Sequence, residues 1–147
     1  MSTSLFSYEQ LEMWQLSMDF VTDIYKLLDD FPERERYALS SQIRRAAISV
    51  PSNIAEGTGR YSKKEKLHFN EISMGSLTEV MCQLEIANRV GYINVEELDS
   101  LRSKALRIGM MLSGYRRSIF KKMDEEKQRP TTNDQRITNN DQHERDL

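Results

Sequence analysis

The stretch QIRRAAISVPSNIAEGTGR, from Gln42 to Arg60, decides how the rest of the chain is read. With Leu39 just before it, Ile43, Ala46, Val50 and Ile54 recur three or four residues apart, which is helical spacing. Ala47 widens that stripe, while Ile48, Pro51 and Ala55 fall on the other side of an ideal helical wheel. A helix with two apolar sides predicts two packed neighbours, one of them a candidate second subunit. Between the two faces runs a polar stripe of Arg45, Ser49, Ser52, Asn53 and Glu56. Arg45 and Glu56 are expected to be partly buried and paired, with Glu79 further along the chain as the candidate partner of Arg45. Pro51 either kinks or breaks the helix. Its ring removes one hydrogen bond and clashes with the preceding turn, and the residue before a proline avoids the helical region.

Working outward, helix one is expected over residues 7–29, opened by a Ser7–Gln10 capping box. Leu11, Trp14, Met18, Val21, Tyr25 and Leu28 form a heptad seam on it, and Met13, Leu16, Phe20, Ile24 and Leu27 a second apolar line. Pro32 suits the first turn of helix two, expected over 33–56. Gly57 to Tyr61 then reads as a turn. Ser62 and Glu65 cap helix three, expected over 62–90, with Phe69, Ile72, Ser76, Val80, Leu84 and Ala87 as its core face. Gly75 and Ser76 are small enough for a neighbouring helix to come close. Gly91 closes helix three, and Asn94 with Glu97 caps helix four, expected over 94–123. Leu98, Leu101, Ala105, Ile108, Leu112, Tyr115 and Ile119 give helix four an unbroken stripe. Residues 1–127 therefore read as one bundle, and the polar segment 128–147 as a tail too short of apolar side chains to order itself.

Charge supports an all-α, antiparallel up-down-up-down bundle. Residues 1–33 carry one base and seven acids, and residues 34–66 carry eight bases and three acids. Residues 67–101 reverse again with one base and six acids, and residues 102–123 carry seven bases and no acid. In that topology each helix lies beside neighbours of opposite sign, which disfavours wrong arrangements. At 147 residues the chain suits one domain. No apolar run approaches the ~20 residues that span a bilayer, and the N-terminus lacks a secretory pattern. The single cysteine, Cys82, excludes an internal disulfide and suits the cytoplasm.

No catalytic constellation, metal site or cofactor motif is predicted. Glu65 and His68 have the spacing of a di-iron helix, yet the second such pair is missing, since the other histidine is His143 in the tail. Gly57-Thr58-Gly59 lacks the preceding strand of a dinucleotide loop. Cys82 reads as a core or interface residue, the methionines as core filler, and Met110 and Met111 beside Gly109 as candidates for a subunit contact. The candidate ligand site is the turn into helix three. Arg60, Lys63, Lys64 and Lys66 cluster where a helix N-terminus ordinarily favours acids, and phosphate binding would supply a reason. Arg44 is expected to extend this basic surface, which would form a collar in a ring assembly.

Three motifs recur in order: FP-x-x-E from Phe31 to Glu35, the Gln42–Arg60 stretch, and F-x-x-I-S-x-G-S-L-x-E from Phe69 to Glu79. Over roughly residues 5–120 the chain resembles the 23S rRNA intervening-sequence proteins and, more distantly, the accessory variability protein of diversity-generating retroelements. That resemblance implies a four-helix bundle, a ring-shaped homopentamer and no known enzymatic activity. For the retroelement proteins it implies binding to RNA or DNA and to a reverse transcriptase. Those proteins are strongly basic, whereas this chain has net charge −2 and a pI near 5.8. The function expected is a nucleic-acid-associated scaffold or adaptor. The competing expectation is a protein–protein interaction module with no nucleic-acid role.

Overall fold

A computed structural model describes residues 6–129. Four helices make up the bundle: α1 (Glu12–Leu28), α2 (Leu39–Thr58), α3 (Lys63–Arg89) and α4 (Val95–Gln128). Short 3-10 turns, Ser7–Gln10 and Glu33–Glu35, precede α1 and α2. The expected tail lies outside the described residues from position 130 onward. Each helix touches two neighbours in the cycle α1–α2–α3–α4, and α2 with α3 make the most extensive contact. Cross-links set every pair antiparallel. Ser49 meets Ser76 while Gly57 meets Phe69, and Asp23 meets Lys104 while Glu12 meets Arg107. The topology is up-down-up-down.

The core is a single apolar cluster, with Phe20, Ile24, Ile43, Val50, Val80, Leu84, Ile108 and Leu112 sealed from solvent. Helix α4 buries the expected stripe, with Tyr115 half-buried. In α1 the second apolar line supplies the core, through Met13, Phe20 and Ile24 with Ser17 and Leu28. Met18 and Tyr25 of the heptad seam stay exposed. In α3 the buried stripe is Asn70, Ser73, Leu77, Val80, Gln83, Leu84 and Ala87, so Phe69, Ile72 and Ser76 are only half-buried. Three of the polar residues in the core donate to backbone carbonyls, whereas buried Gln83 donates to the Glu79 carboxylate and leaves its own oxygen without a partner. Ser17 Oγ donates to the Met13 carbonyl (2.6 Å), Ser73 Oγ to Val50 (3.0 Å) and Asn70 Nδ2 to Leu112 (3.1 Å). A buried donor so satisfied costs little.

Element ends differ from the expected ones for local reasons. The Ser7–Gln10 box does not form, because that segment is a 3-10 turn tied to α1 by Gln15 Nε2 on the Glu9 carbonyl (2.8 Å). Helix α2 starts at Leu39 rather than 33. Glu35 Oε2 accepts the Leu39 amide (3.1 Å), a capping bond that leaves Arg36–Ala38 outside the helix. Glu35 Oε1 also accepts from the Tyr92 hydroxyl (3.1 Å), Tyr92 packs on Phe31, and Arg34 donates to the same phenol (3.3 Å), which raises the arginine's pKa. This cluster ties the α1–α2 connection to the α3–α4 connection. Helix α2 continues through Pro51 without a break. Ser62 and Asn94 cap α3 and α4, Asn94 and Glu97 forming the full reciprocal box. Helix α4 outruns its apolar stripe to Gln128, carried by good helix formers and the Lys63–Glu126 ion pair.

Gly57 belongs to α2, not to the following turn. It is buried, and a Cβ built there would lie 2.8 Å from Phe69 Cβ, so α3 packs on bare backbone. Gly75, expected to admit a close helix, is exposed with open space around it. Gly57→Ala should therefore destabilise the protein by about 1 kcal/mol net, overpacking of ~1–3 kcal/mol exceeding the ~1 kcal/mol gain in helix propensity. At Gly59 a Cβ meets nothing nearer than 3.7 Å, so Gly59→Ala should be neutral or stabilising. Chemical denaturation of both variants checks the opposite signs.

Candidate functional site

Two surfaces stand out from the sequence, the polar stripe of α2 and the basic turn into α3. The structure divides the stripe. Ser49 faces α3, its Oγ 2.7 Å from Ser76 Oγ, and Asn53 Nδ2 donates to both Ser49 Oγ (2.9 Å) and the Ser49 carbonyl (2.8 Å). The Ser49–Ser76 contact joins the two helices, and Asn53 holds Ser49 from within α2. Ser52 is exposed on the α1 side. Glu56 is exposed and pairs with Arg60, just beyond the C-terminal end of α2. Arg45 and Glu79 share the rim of a shallow cavity of about 280 Å³ with Gln42, Ser49 and Ser76, but both are exposed. Glu79 accepts from Gln83 (3.2 Å), and Arg45 has no ion pair among the described residues. The expected partly buried Arg45–Glu79 pairing is thus not made within the chain. An exposed pair between long side chains is worth little against the entropy of holding it.

The basic turn is likewise divided. Lys63 pairs with Glu126 of α4, and Lys66 Nζ donates to the Thr58 carbonyl (3.4 Å) at the end of α2. Arg60 pairs with Glu56 and lies 4.9 Å above the Phe69 ring. The first turn of α3 is basic because it adjoins the C-terminal ends of two antiparallel helices, whose free carbonyls favour cations. Only Lys64 among these four residues is exposed without an ion pair among the described residues. Arg44 is not brought to this turn. It lies 16 residues back along α2, about 24 Å, with its guanidinium 5.4 Å over Tyr25 of α1.

Sequence reading of the site missed the bases of α4. Arg116, Arg117, Lys121 and Lys122 are exposed and lack a carboxylate partner among the described residues. Phe120 lies among them in sequence and is 41% exposed, with Arg116 stacked 4.8 Å from its ring. Helix α4 ends beside the start of α3, so these bases and Lys64 share one end of the bundle. The seven bases without an acid in residues 102–123 were the available signal. Arg102, Lys104 and Arg107 from that run instead pair with Glu85, Asp23 and Glu12. The charge alternation is thus realised as ion pairs around α4.

His68 is exposed against the edge of Phe69, and Cys82 is exposed rather than in the core. Among the described residues no three His, Cys, Asp or Glu side chains converge as a metal would need, and no helix is long and apolar enough to cross a membrane. Beneath the basic end, Tyr115 lines a small cavity with Asn53, Thr58, Lys66 and Asn70, and burial raises its phenol above the ordinary range.

The fold and these surfaces define a small antiparallel four-helix bundle with a basic end. Residues 9–114 match the family model of the 23S rRNA-intervening sequence protein, and the chain belongs to that family. It is also similar in fold to a crystal structure of a protein of unknown function from the S23 ribosomal protein family of Bacteroides thetaiotaomicron VPI-5482. The TM-score is 0.66 at 24% identity, over 71% of this chain and 97% of that one. No curated protein matches the chain.

The raised Tyr115 pKa has a direction in stability. Below about pH 10, the ordinary tyrosine value, both folded and unfolded states keep the proton. Above it the unfolded chain loses the proton first, so stability falls as pH rises toward the folded pKa. Tyr115→Phe should flatten the loss of melting temperature between about pH 9.5 and 11, measured by thermal melts across that range.

Proposed function

We propose that this protein is a non-enzymatic, homo-oligomeric scaffold or adaptor that associates with nucleic acid in the cytoplasm. The observation that carries this reading is the set of bases on α4 without acidic partners among the described residues, Arg116, Lys121 and Lys122, with exposed Phe120 beside Arg116 and Lys64 at the same end. Cationic side chains that lack acidic partners bind phosphates by releasing counterions, and an exposed aromatic ring offers a base a stacking surface. Such a surface tolerates the chain's overall net charge of −2, because the field a ligand meets is set locally. The family description makes a structured rRNA segment the first ligand to test. A reverse transcriptase, which the resemblance to retroelement accessory proteins implies, would meet its template on such a scaffold. A ring of five copies, implied by the same resemblance, would repeat the basic end once per subunit.

A second reading is supported by the apolar groove between α3 and α4, where Leu106 and Met110 stand exposed. It is a protein-binding module without nucleic acid. The two readings separate in a salt-titrated binding assay with RNA and DNA. Lys64→Glu/Lys121→Glu/Lys122→Glu should weaken RNA binding and reduce the slope of log K against log salt by about 1 for each phosphate no longer neutralised. Unchanged affinity and slope, in a variant that keeps its assembly, would leave the protein-binding module.

A further inference from the structure

The end of the bundle where α4 runs past the start of α3 carries aromatic rings as well as bases. Tyr61 is wholly exposed and makes no hydrogen bond or ring contact among the described residues. It lines a recess of about 460 Å³ together with Met123 and Lys127 of α4 and the paired Lys63 and Glu126. Phe120 sits one turn before Met123, with Arg116 over its ring at 4.8 Å. Seven residues, close to two helical turns, separate Phe120 from Lys127, so both fall on one side of α4, about 10 Å apart along it. Two exposed rings and a lysine-edged recess therefore lie along one strip.

Charge alone is a weak account of this strip. Over residues 116–129 six bases are offset by three acids. Lys63 takes Glu126, but Asp124 and Glu125 are exposed without a cationic partner among the described residues. A duplex keeps its base faces stacked inside and offers a surface its phosphates and groove edges. Against this strip it would meet diluted charge and leave both rings unused. A single strand turns its base faces outward, and every base has a face on which an aromatic ring can stack. We infer that the strip binds an unpaired stretch of nucleic acid. One base stacks on Tyr61 at the recess and another on the face of Phe120 that Arg116 leaves open, with Lys64 and Lys127 on the neighbouring phosphates. This rests on the nucleic-acid reading above and names its ligand class, single strand rather than duplex.

Fluorescence anisotropy tests this with a short RNA strand of mixed sequence, the DNA strand of the same sequence, and each annealed to its complement. The wild type should bind both single strands at least about fivefold more tightly than the duplexes. Tyr61→Ala/Phe120→Ala should weaken single-strand binding by about fivefold or more for each ring. Its slope of log K against log salt should stay that of the wild type, because no phosphate contact is removed. Tyr61→Phe keeps the ring and should keep the affinity. Circular dichroism checks the fold, and Tyr61→Ala alone, at a wholly exposed position, carries the test if the double variant loses helix. RNA and DNA strands should bind alike, since a stacked ring takes no contact from the sugar. A preference of about tenfold or more for RNA would assign the affinity to 2′-hydroxyls instead of the rings and overturn the inference. Duplexes that bind as tightly as single strands, or ring variants that bind as the wild type does, overturn the single-strand assignment and leave the nucleic-acid reading standing. A wild type that binds none of the four overturns that reading itself, and this inference with it.

Discussion

The close approach of α2 and α3 is the constraint on which the rest of the bundle depends. At Gly57 the α2 backbone comes so near Phe69 that no Cβ fits, and two turns earlier Ser49 and Ser76 meet through their hydroxyls. Between them Ser73 donates to the Val50 carbonyl, within one turn of Pro51, whose ring removes an amide donor from α2. Small side chains let the helices approach, and the hydroxyls of Ser49, Ser73 and Ser76 are each hydrogen-bonded across the seam. Large residues on the other flanks of the same two helices, such as Ile43, Ile54, Leu77 and Leu84, are thereby pointed at α1 and α4.

That seam also settles which surfaces remain for other molecules. Small residues and hydroxyls use up the α2/α3 side, while ion pairs from α4 close the α1/α4 side. Apolar side chains that the seam does not absorb are left on the two remaining sides, and the unpaired bases gather where α4 ends beside α3. The antiparallel arrangement has a further effect on charge. Lys63 and Lys66 look misplaced at the start of α3, but they face Glu126 and the last carbonyls of α2, so the neighbouring helix ends account for them.

The fold was legible because apolar spacing along the chain agreed with the caps of α3 and α4. The stripe of α4, the Ser62 and Asn94 caps, and the glycine at position 91 with φ +88° all stand where periodicity and turn chemistry put them. What periodicity could not show is which of two apolar lines on α1 turns inward, since both have helical spacing. Nor does it find Ser17, Asn70 and Ser73, which are polar by type and buried because a carbonyl lies within reach. The candidate site was less legible for a related reason. A lysine's availability depends on what stands opposite it in space, and Glu126 and Thr58 are brought to Lys63 and Lys66 only through the fold. The surplus of bases on α4 was visible as a count, but which of them keep no acidic partner follows from the placement of α1 and α3.

If the α2–α3 seam organises the bundle, those two helices should be the last to open. Native-state hydrogen exchange measures this directly. Amides of α2 from Ile43 to Gly57 and of α3 from Asn70 to Ala87 should exchange only through global unfolding, while α1 and the last turns of α4 open at lower free energy. Amides of α1 that outlast those of α2 and α3 would contradict the account.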